Sequence, residues 1–148
     1  MLDGDRMASL IALYIKKRLG DDTKLNVGVV QTAYANGAST KFLEEFGIQV
    51  DCAKTGVKNL HHLALNFDIG IYFEANGHGT VLFSPAAIDK LKNEKQAEVL
   101  LLAQLINQTV GDAFSDLFAI EAVLHLLNYS VQDWYKMYSD FPNRLMKV

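Results

Sequence analysis

Four short apolar runs, separated by helix-like segments, do most to limit the folds open to this chain. Each run is predicted to be a strand because it is short and rich in β-branched and aromatic residues. The runs are Val27–Gln31, Ile48–Cys52, Ile69–Phe73 and Gly79–Ser84. Strands that alternate with helices through short connections are typical of a three-layer α/β/α domain with a mainly parallel sheet.

The fourth strand is expected to run against its neighbour. Gly79–Ser84 begins only a few residues after Ile69–Phe73 ends, which is the distance of a hairpin. A parallel partner would need a much longer crossover connection. The sequence therefore predicts a four-stranded sheet in which one strand is antiparallel.

Helices are predicted between the strands and over the rest of the chain. The first begins at a cap provided by Asp3 or Asp5, and Ser130 is a good N-cap for the last. The first helix is predicted to run to about Leu19. Further helices are predicted over Ser39–Phe46, Val57–Phe67, Ala86–Thr109, Asp112–Leu127 and Val131–Tyr138. The last three form a C-terminal helical part that follows the sheet.

Composition narrows the class of protein. The 148 residues are expected to form a single domain over positions 1–148, and the net charge of -3 argues against nucleic acid as the main partner. One cysteine excludes an internal disulfide and fits a reduced, cytoplasmic setting. Cys52 falls in a predicted strand and is expected to be a small core residue. No signal peptide and no apolar run long enough to span a membrane are found, so no membrane partner is expected.

Polar segments follow each of the first three predicted strands. They cover residues 31–40, 53–58 and 74–78, and each contains glycine. Because ligands of open parallel sheets bind outside the carboxyl ends of the strands, these three segments are expected to share one edge. The sequence therefore predicts a binding site at this edge.

Lys54 is the sharpest candidate for anion binding. It follows a strand and precedes a helix that is expected to be capped by Thr55, with Gly56 in the first turn. A helix N-terminus offers free N–H groups and partial positive charge, so a neighbouring lysine completes a site of the kind that holds phosphate. The alternative is a solvated lysine at a turn.

The segment Phe73–Gly79 brings a carboxylate, an amide and an imidazole together within a short glycine-containing loop. Acceptors and donors with little apolar bulk suit a polyhydroxylated ligand such as a sugar. Each residue also has a plainer interpretation: Glu74 as a strand-end carboxylate, and Asn76 and His78 as turn residues. Gly77 allows a tight turn and a close approach to a ligand.

No metal site is predicted in this sequence. Asp3 and Asp5 are interpreted as helix caps and not as magnesium ligands. His61 and His62 are adjacent on a helix and point in different directions, so one is expected to pack and the other to face water. His125 lies in an apolar helix and is expected to be a core histidine. The histidines and the cysteine have no zinc-site spacing.

Five segments, in this order, resemble the α-D-phosphohexomutases in their acetylglucosamine branch. They are Leu2–Ala8, Val29–Gly37, Lys54–His62, Phe73–Gly79 and Asp140–Arg144. The general family loop reads Gly-Glu-x-Ser-Gly-His, whereas this chain has Phe73 and Asn76 for the glycine and the serine, as that branch does. The resemblance covers nearly the whole chain, but it is to the third, sugar-reading domain only.

The resemblance implies a function for the parent enzyme. That enzyme would interconvert N-acetylglucosamine 6-phosphate and N-acetylglucosamine 1-phosphate through a bisphosphate intermediate, with Mg²⁺, on the route to UDP-N-acetylglucosamine. Glu74, Asn76 and His78 would contact sugar hydroxyls. Lys54 would lie near the transferring phosphoryl group and act there as a cation or a proton carrier.

The family's phosphoserine loop, its three-aspartate magnesium loop and its C-terminal phosphate clamp have no counterpart in this sequence. The chain is therefore expected to be excised from a larger multidomain enzyme, to have its remaining domains as partners and to be inactive alone. The alternative is a stand-alone, non-catalytic module that binds sugar phosphates. The sequence argues against a nucleotide-binding domain, because no glycine-rich phosphate loop follows the first predicted strand.

Overall fold

Strands and helices alternate along the first half of the chain, as the sequence predicts. A computed structural model describes residues 2–144. In that range the elements are α1 (Gly4–Leu19), β1 (Val27–Thr32), α2 (Gly37–Glu45), β2 (Gln49–Ala53), α3 (Val57–Ala64), β3 (Ile69–Phe73), β4 (Gly79–Phe83), α4 (Pro85–Asn93), α5 (Ala97–Leu105), α6 (Ala113–Leu127) and α7 (Val131–Tyr135).

The sheet has the order β2-β1-β3-β4. Strand β1 is parallel to both β2 and β3, and it pairs Val29 with Val50 on one side and with Ile71 on the other. Strand β4 runs antiparallel to β3 and pairs Val81 with Ile71. The predicted sheet, mainly parallel with one antiparallel strand, is confirmed.

The two faces of the sheet bury two separate apolar clusters, because successive side chains of a strand point to opposite faces. One cluster joins the sheet to α1 and to the C-terminal helices, and it includes Ile11, Tyr14, Val29, Ile71 and Val81. The other lies under α3 and consists of Val30, Leu60, Ala64, Phe67, Tyr72 and Leu82. Helices thus cover both faces, which confirms the three-layer α/β/α architecture.

Helix α1 has clear signals at both ends. The side chain of Asp3 accepts a hydrogen bond of 3.1 Å from the backbone N–H of Arg6, which makes Asp3 the N-cap. Three basic residues occupy the last turn, where they complement the partial negative charge of the helix end. Gly20, with φ of 73°, then ends the helix. The expectation of a cap at Asp3 or Asp5 is met by Asp3, and Asp5 has a different role described below.

The prediction of one continuous helix over residues 86–109 is wrong, because two helices occupy that range. Helix α4 begins at the Ser84 cap and ends at Asn93, and α5 begins at Ala97. Lys95 between them has φ of 58°, a left-handed conformation that an α-helix cannot contain. Gln96 N–H then donates to the Leu91 carbonyl and turns the chain into α5.

Two predictions of burial are also wrong. Cys52 is exposed because β2 lies at the edge of the sheet and is only partly covered by helices. His125 lies on α6 but faces solvent. The prediction for the adjacent pair is confirmed: His61 is half-buried against Tyr72, whereas His62 is exposed.

The last two helices, α6 and α7, begin at side-chain caps. Asp112 caps α6 by accepting from the Phe114 N–H at 3.0 Å, and Ser130 caps α7 in a capping box with Asp133. The predicted Ser130 cap is confirmed. Within residues 2–144, the helices lack the length and the apolar run that crossing a bilayer requires.

Candidate functional site

The three polar segments lie at one edge of the sheet. Strands β1, β2 and β3 are parallel to one another, so the residues that follow them emerge on the same side. The edge therefore presents residues 33–36, residues 54–56 and the β3–β4 loop, which is Glu74–His78.

The β3–β4 loop is a compact turn with its own hydrogen bonds. Glu74 N–H donates to the His78 carbonyl at 2.9 Å, and Gly77 N–H donates to the Glu74 carbonyl at 2.8 Å. The side-chain oxygen of Asn76 accepts from His78 N–H at 2.9 Å. Gly77 has φ of 89°, a region that side-chain-bearing residues rarely enter. The loop can therefore hold its polar side chains in a fixed arrangement.

Glu74 links this loop to the start of α3. Its carboxylate oxygen Oε1 accepts a hydrogen bond of 3.1 Å from the backbone N–H of Gly56. Gly56 is the N-cap residue of α3 and offers no side-chain cap of its own. The predicted cap at Thr55 is wrong, because the acceptor at this helix start comes from Glu74 in the β3–β4 loop.

Lys54 is exposed and lines a shallow hollow on the side of α3 that faces β2. The hollow has a volume of about 340 Å³ and is lined also by Ala53, Asn59, His62, Leu63 and Asn66. Among the described residues, no carboxylate forms a salt bridge with Lys54. Its ammonium group is thus available to an anion from solution.

His78 lies on the other side of α3. It lines a second hollow, of about 370 Å³, together with Lys58, His61, Tyr72 and other residues of α3 and of the loop before α6. The Nδ1 atom of His61 is 3.0 Å from the Tyr72 hydroxyl, and burial raises the pKa of Tyr72, with a further contribution from Asp116. Of the predicted residues, Lys54 and His78 therefore border two different hollows, while Glu74 and Gly56 are bonded to each other at the start of α3.

One buried carboxylate at this edge, Asp5, has a role that was not predicted from the sequence. Asp5 is 4% exposed and accepts from the Asn36 N–H at 2.8 Å, so it fastens the segment after β1 and does not cap α1. Burial raises the pKa of Asp5 to about 6, with smaller raising effects from Asp3 and Asp140. Only the spacing of Asp3 and Asp5 at the start of α1 indicated that polar residues cluster here.

The described part of the chain shows no cluster of side chains that could bind a metal ion. Among residues 2–144, no three His, Cys, Asp or Glu side chains come together in a group that could hold a metal ion. The nearest carboxylates to the edge, Glu74 and Asp5, each accept a backbone N–H instead.

Comparison with known proteins identifies the family of this domain. Residues 3–129 match the family model described as phosphoacetylglucosamine mutase AMG1, domain III. The chain belongs to this family. The match includes α1, the whole sheet and α6, and with them all three segments at the sheet edge.

Relatives in this domain III family are much longer than the chain. Phosphoacetylglucosamine mutase of Candida albicans is 52% identical over 100% of this chain and 30% of its own length. The Homo sapiens enzyme of the same name is 49% identical over 100% of this chain and 30% of its own length. The chain thus spans about three tenths of the curated relatives it matches.

A solved structure has the same fold. The crystal structure of Aspergillus fumigatus N-acetylphosphoglucosamine mutase in complex with GlcNAc-6P and magnesium superposes with a TM-score of 0.92. It is 46% identical in sequence, and the match covers 99% of this chain and 32% of that one. The ligands named in that complex are those of the Aspergillus protein.

Proposed function

We propose that this chain is the sugar-recognition domain of a phosphoacetylglucosamine mutase. The parent enzyme would interconvert N-acetylglucosamine 6-phosphate and N-acetylglucosamine 1-phosphate through a bisphosphate intermediate and so supply UDP-N-acetylglucosamine synthesis. Positions 1–148 would form one domain of a larger multidomain protein in the cytoplasm, with the remaining domains as its partners.

One observation carries the proposal. The Glu74 carboxylate is hydrogen-bonded to Gly56 N–H, so the β3–β4 loop and the Lys54–Gly56 segment lie side by side at the sheet edge. Hydrogen-bonding groups suited to sugar hydroxyls are thereby placed next to a cation and a helix N-terminus suited to phosphate. A phosphorylated sugar requires both kinds of group together.

Sugar contacts are assigned to the β3–β4 loop. The free oxygen of Glu74 would accept from a hydroxyl, and the side-chain amide N–H₂ of Asn76 would donate, because the amide oxygen is already used by His78 N–H. The exposed imidazole of His78 would donate to a further hydroxyl or to an acetamido oxygen. Gly77 would let the ligand come close to the backbone.

Phosphate contacts are assigned to the start of α3. Thr55 and Gly56 precede a helix whose first N–H groups have no intrahelical partner, and Lys54 provides a positive charge beside them. When the phosphoryl group moves, Lys54 would neutralise the developing charge or carry a proton. Its charge would matter more where the remaining domains of the parent enzyme cover this edge, because less water would screen it there.

Mg²⁺ is assigned to the parent enzyme and not to this chain. The described residues offer no group of carboxylates that fits the ion, since Asp5 and Glu74 already serve backbone N–H groups. We accordingly place the metal, the phosphoserine donor and the C-terminal phosphate clamp in the rest of the parent protein. The chain alone is expected to bind sugar phosphate without turning it over.

A stand-alone module that binds sugar phosphates without catalysis is the alternative. It would have the same sheet edge and the same ligand contacts. Adding the remaining domains of a related enzyme in trans separates the two functions, because only the catalytic domain would restore mutase turnover.

The direct test is an amide-shift titration of the isotope-labelled chain. N-acetylglucosamine 6-phosphate is expected to shift Lys54, Glu74, Asn76 and His78, and to do so more strongly than glucose 6-phosphate. Dissociation constants near millimolar, roughly 4 kcal/mol, are expected for one domain of a larger site. Absence of shifts at these residues at high ligand concentration would count against the proposal.

Two Glu74 variants separate sugar binding from the hydrogen bond that Glu74 accepts at the start of α3. Glu74→Gln keeps an acceptor for Gly56 N–H but loses the negative charge, whereas Glu74→Ala loses both. Both are expected to weaken sugar binding, and only Glu74→Ala is expected to disturb the first turn of α3. If Glu74→Gln binds as well as the wild type, the proposed role of the carboxylate is wrong.

A further inference from the structure

The first turn of α1, Asp3–Arg6, contacts three segments that are far apart in the sequence. Gly4 touches the β3–β4 loop, Asp5 holds the segment after β1, and Arg6 holds the chain after α7. Gly4, Asp5 and Arg6 are all buried. Such a turn can fix the relative positions of everything it touches.

The contact with the β3–β4 loop leaves no room for a side chain. Gly4 N–H donates to the Ala75 carbonyl at 3.2 Å. A Cβ added to Gly4 would overlap the carbonyl oxygen of Glu74 and would lie 3.2 Å from the Gly77 nitrogen. Because those atoms are backbone, they can yield only if the whole loop moves.

The contact with the segment after β1 extends to the C-terminal chain. Asp5 accepts from Asn36 N–H at 2.8 Å. The Asn36 side chain caps α2 by accepting from Ala38 N–H at 3.0 Å, and it also exchanges two hydrogen bonds of 3.0 Å with the backbone of Phe141. Asp5 therefore reaches the segment around Phe141 through a single intermediate residue.

Arg6 completes the connection. Its guanidinium is 3% exposed and donates to the carbonyls of Tyr135 and Tyr138, at 2.7 and 3.2 Å. It also forms an ion pair of 2.8 Å with Asp140 and lies 4.3 Å from the centre of the Tyr138 ring. Trp134 returns a hydrogen bond of 2.9 Å to the Arg6 carbonyl. A planar group held by three acceptors leaves the turn little freedom to shift.

We propose that the Asp3–Arg6 turn is a positioning element for sugar recognition, with Gly4 as the residue that sets the place of the β3–β4 loop. The inference rests on the proposed function, since it explains how the sugar-contacting groups are held at a fixed distance from the start of α3. Gly4 acts through the backbone of Glu74 and Ala75 and does not touch the ligand. The absence of its side chain thereby contributes to sugar selectivity.

Two alanine variants form a matched pair. Gly4 and Gly37 are each the first residue of a helix at the same edge of the domain. A Cβ on Gly37 would meet only the Phe141 ring, at an ordinary 3.6 Å. Gly37→Ala therefore reports what the exchange does at a helix start without displacing the loop.

The experiment first compares the amide shifts of the ligand-free variants with those of the wild type. Gly4→Ala is expected to shift the residues of the β3–β4 loop, while Gly37→Ala leaves them in place. In the sugar-phosphate titration, Gly4→Ala is then expected to weaken N-acetylglucosamine 6-phosphate binding about tenfold or more. Gly4→Ala is also expected to reduce the preference for N-acetylglucosamine 6-phosphate over glucose 6-phosphate. A general loss of stability would leave this preference unchanged.

Unmoved loop resonances in a folded Gly4→Ala variant would overturn the inference, as would an unchanged sugar preference. If Gly4→Ala does not fold, Asp3→Ala decides, because it removes the 3.1 Å hydrogen bond from Arg6 N–H that closes the same turn and creates no clash. Loop shifts in Asp3→Ala support the inference, and their absence overturns it. Failure of the wild type to bind either sugar refutes the proposed function separately, since the loop position is measured without ligand.

Discussion

Asp116 is expected to make this domain less stable as the pH rises. It lies in the first turn of α6 and is 4% exposed, and its Oδ1 atom is buried without a hydrogen-bond partner among the described residues. It lines an apolar cavity of about 330 Å³ whose walls include Leu117 and Trp134. Burial raises the pKa of Asp116 from 3.8 to about 7, and the neighbouring Asp112 adds to the shift.

The size of the effect follows from this shift. Between about pH 4 and pH 7 the folded protein keeps a proton on Asp116 that the unfolded chain has already lost, so rising pH favours unfolding across this window. A shift of about 3 units corresponds to at most about 4 kcal/mol. This is a large part of the 5–15 kcal/mol that typically stabilises a domain, roughly speaking.

Urea unfolding of the wild type and of Asp116→Asn at about pH 4.5 and about pH 8 measures the effect. Asparagine keeps the shape of the side chain but does not ionise. The free energy of unfolding of the variant is therefore expected to rise by about 2–4 kcal/mol relative to that of the wild type between the two pH values. Glu121→Gln is the matched control, because Glu121 is exposed on the same helix and borders the same cavity. An equal difference between wild type and Asp116→Asn at both pH values would refute the reasoning.

Three further outcomes are expected. In the wild type, the free energy of unfolding should fall by up to about 3 kcal/mol between about pH 4 and pH 6, because burial raises the pKa of Asp5 to about 6. Asp5→Asn should remove this fall, and urea unfolding with the same pH dependence in wild type and variant would contradict the prediction. Lys95→Gly should raise the thermal midpoint by relieving a left-handed backbone, worth about 0.5–1 kcal/mol; an unchanged or lower midpoint would show that no strain is stored there. Ser130→Ala should raise the pKa of Asp133, because hydrogen bonds from Ser130 hold that pKa below its usual value, and an NMR titration of the Asp133 carboxyl measures the change.

The fold was largely predictable because its main elements carry local signals. The β3–β4 hairpin follows from two apolar runs a few residues apart, and α1 and α7 begin at aspartate and serine caps. The break at Lys95 was not predictable, because the residues around it are good helix formers and the left-handed turn returns the chain to the core. The exposure of Cys52 depends on which strand lies at the sheet edge, and alternation within one strand does not carry that information.

The candidate site was also predictable only in part. Parallel strand direction was enough to place Lys54 and Glu74 at one edge. It could not reveal that Glu74 rather than Thr55 serves the start of α3, because the acceptor comes from 18 residues away. The ion pair between Arg6 and Asp140 spans 134 positions, and no local pattern predicts such a contact.

The hydrogen bond between Glu74 and Gly56 gives one carboxylate two possible tasks. While its Oε1 atom accepts from Gly56 N–H, Glu74 satisfies the backbone donor of the N-cap residue of α3. A ligand hydroxyl that drew that oxygen away would leave a helix N–H unpaired, with its partial positive charge beside Lys54. A phosphate oxygen would then accept from Gly56 N–H in place of Glu74. Sugar binding would thereby change the anion site through a single backbone amide.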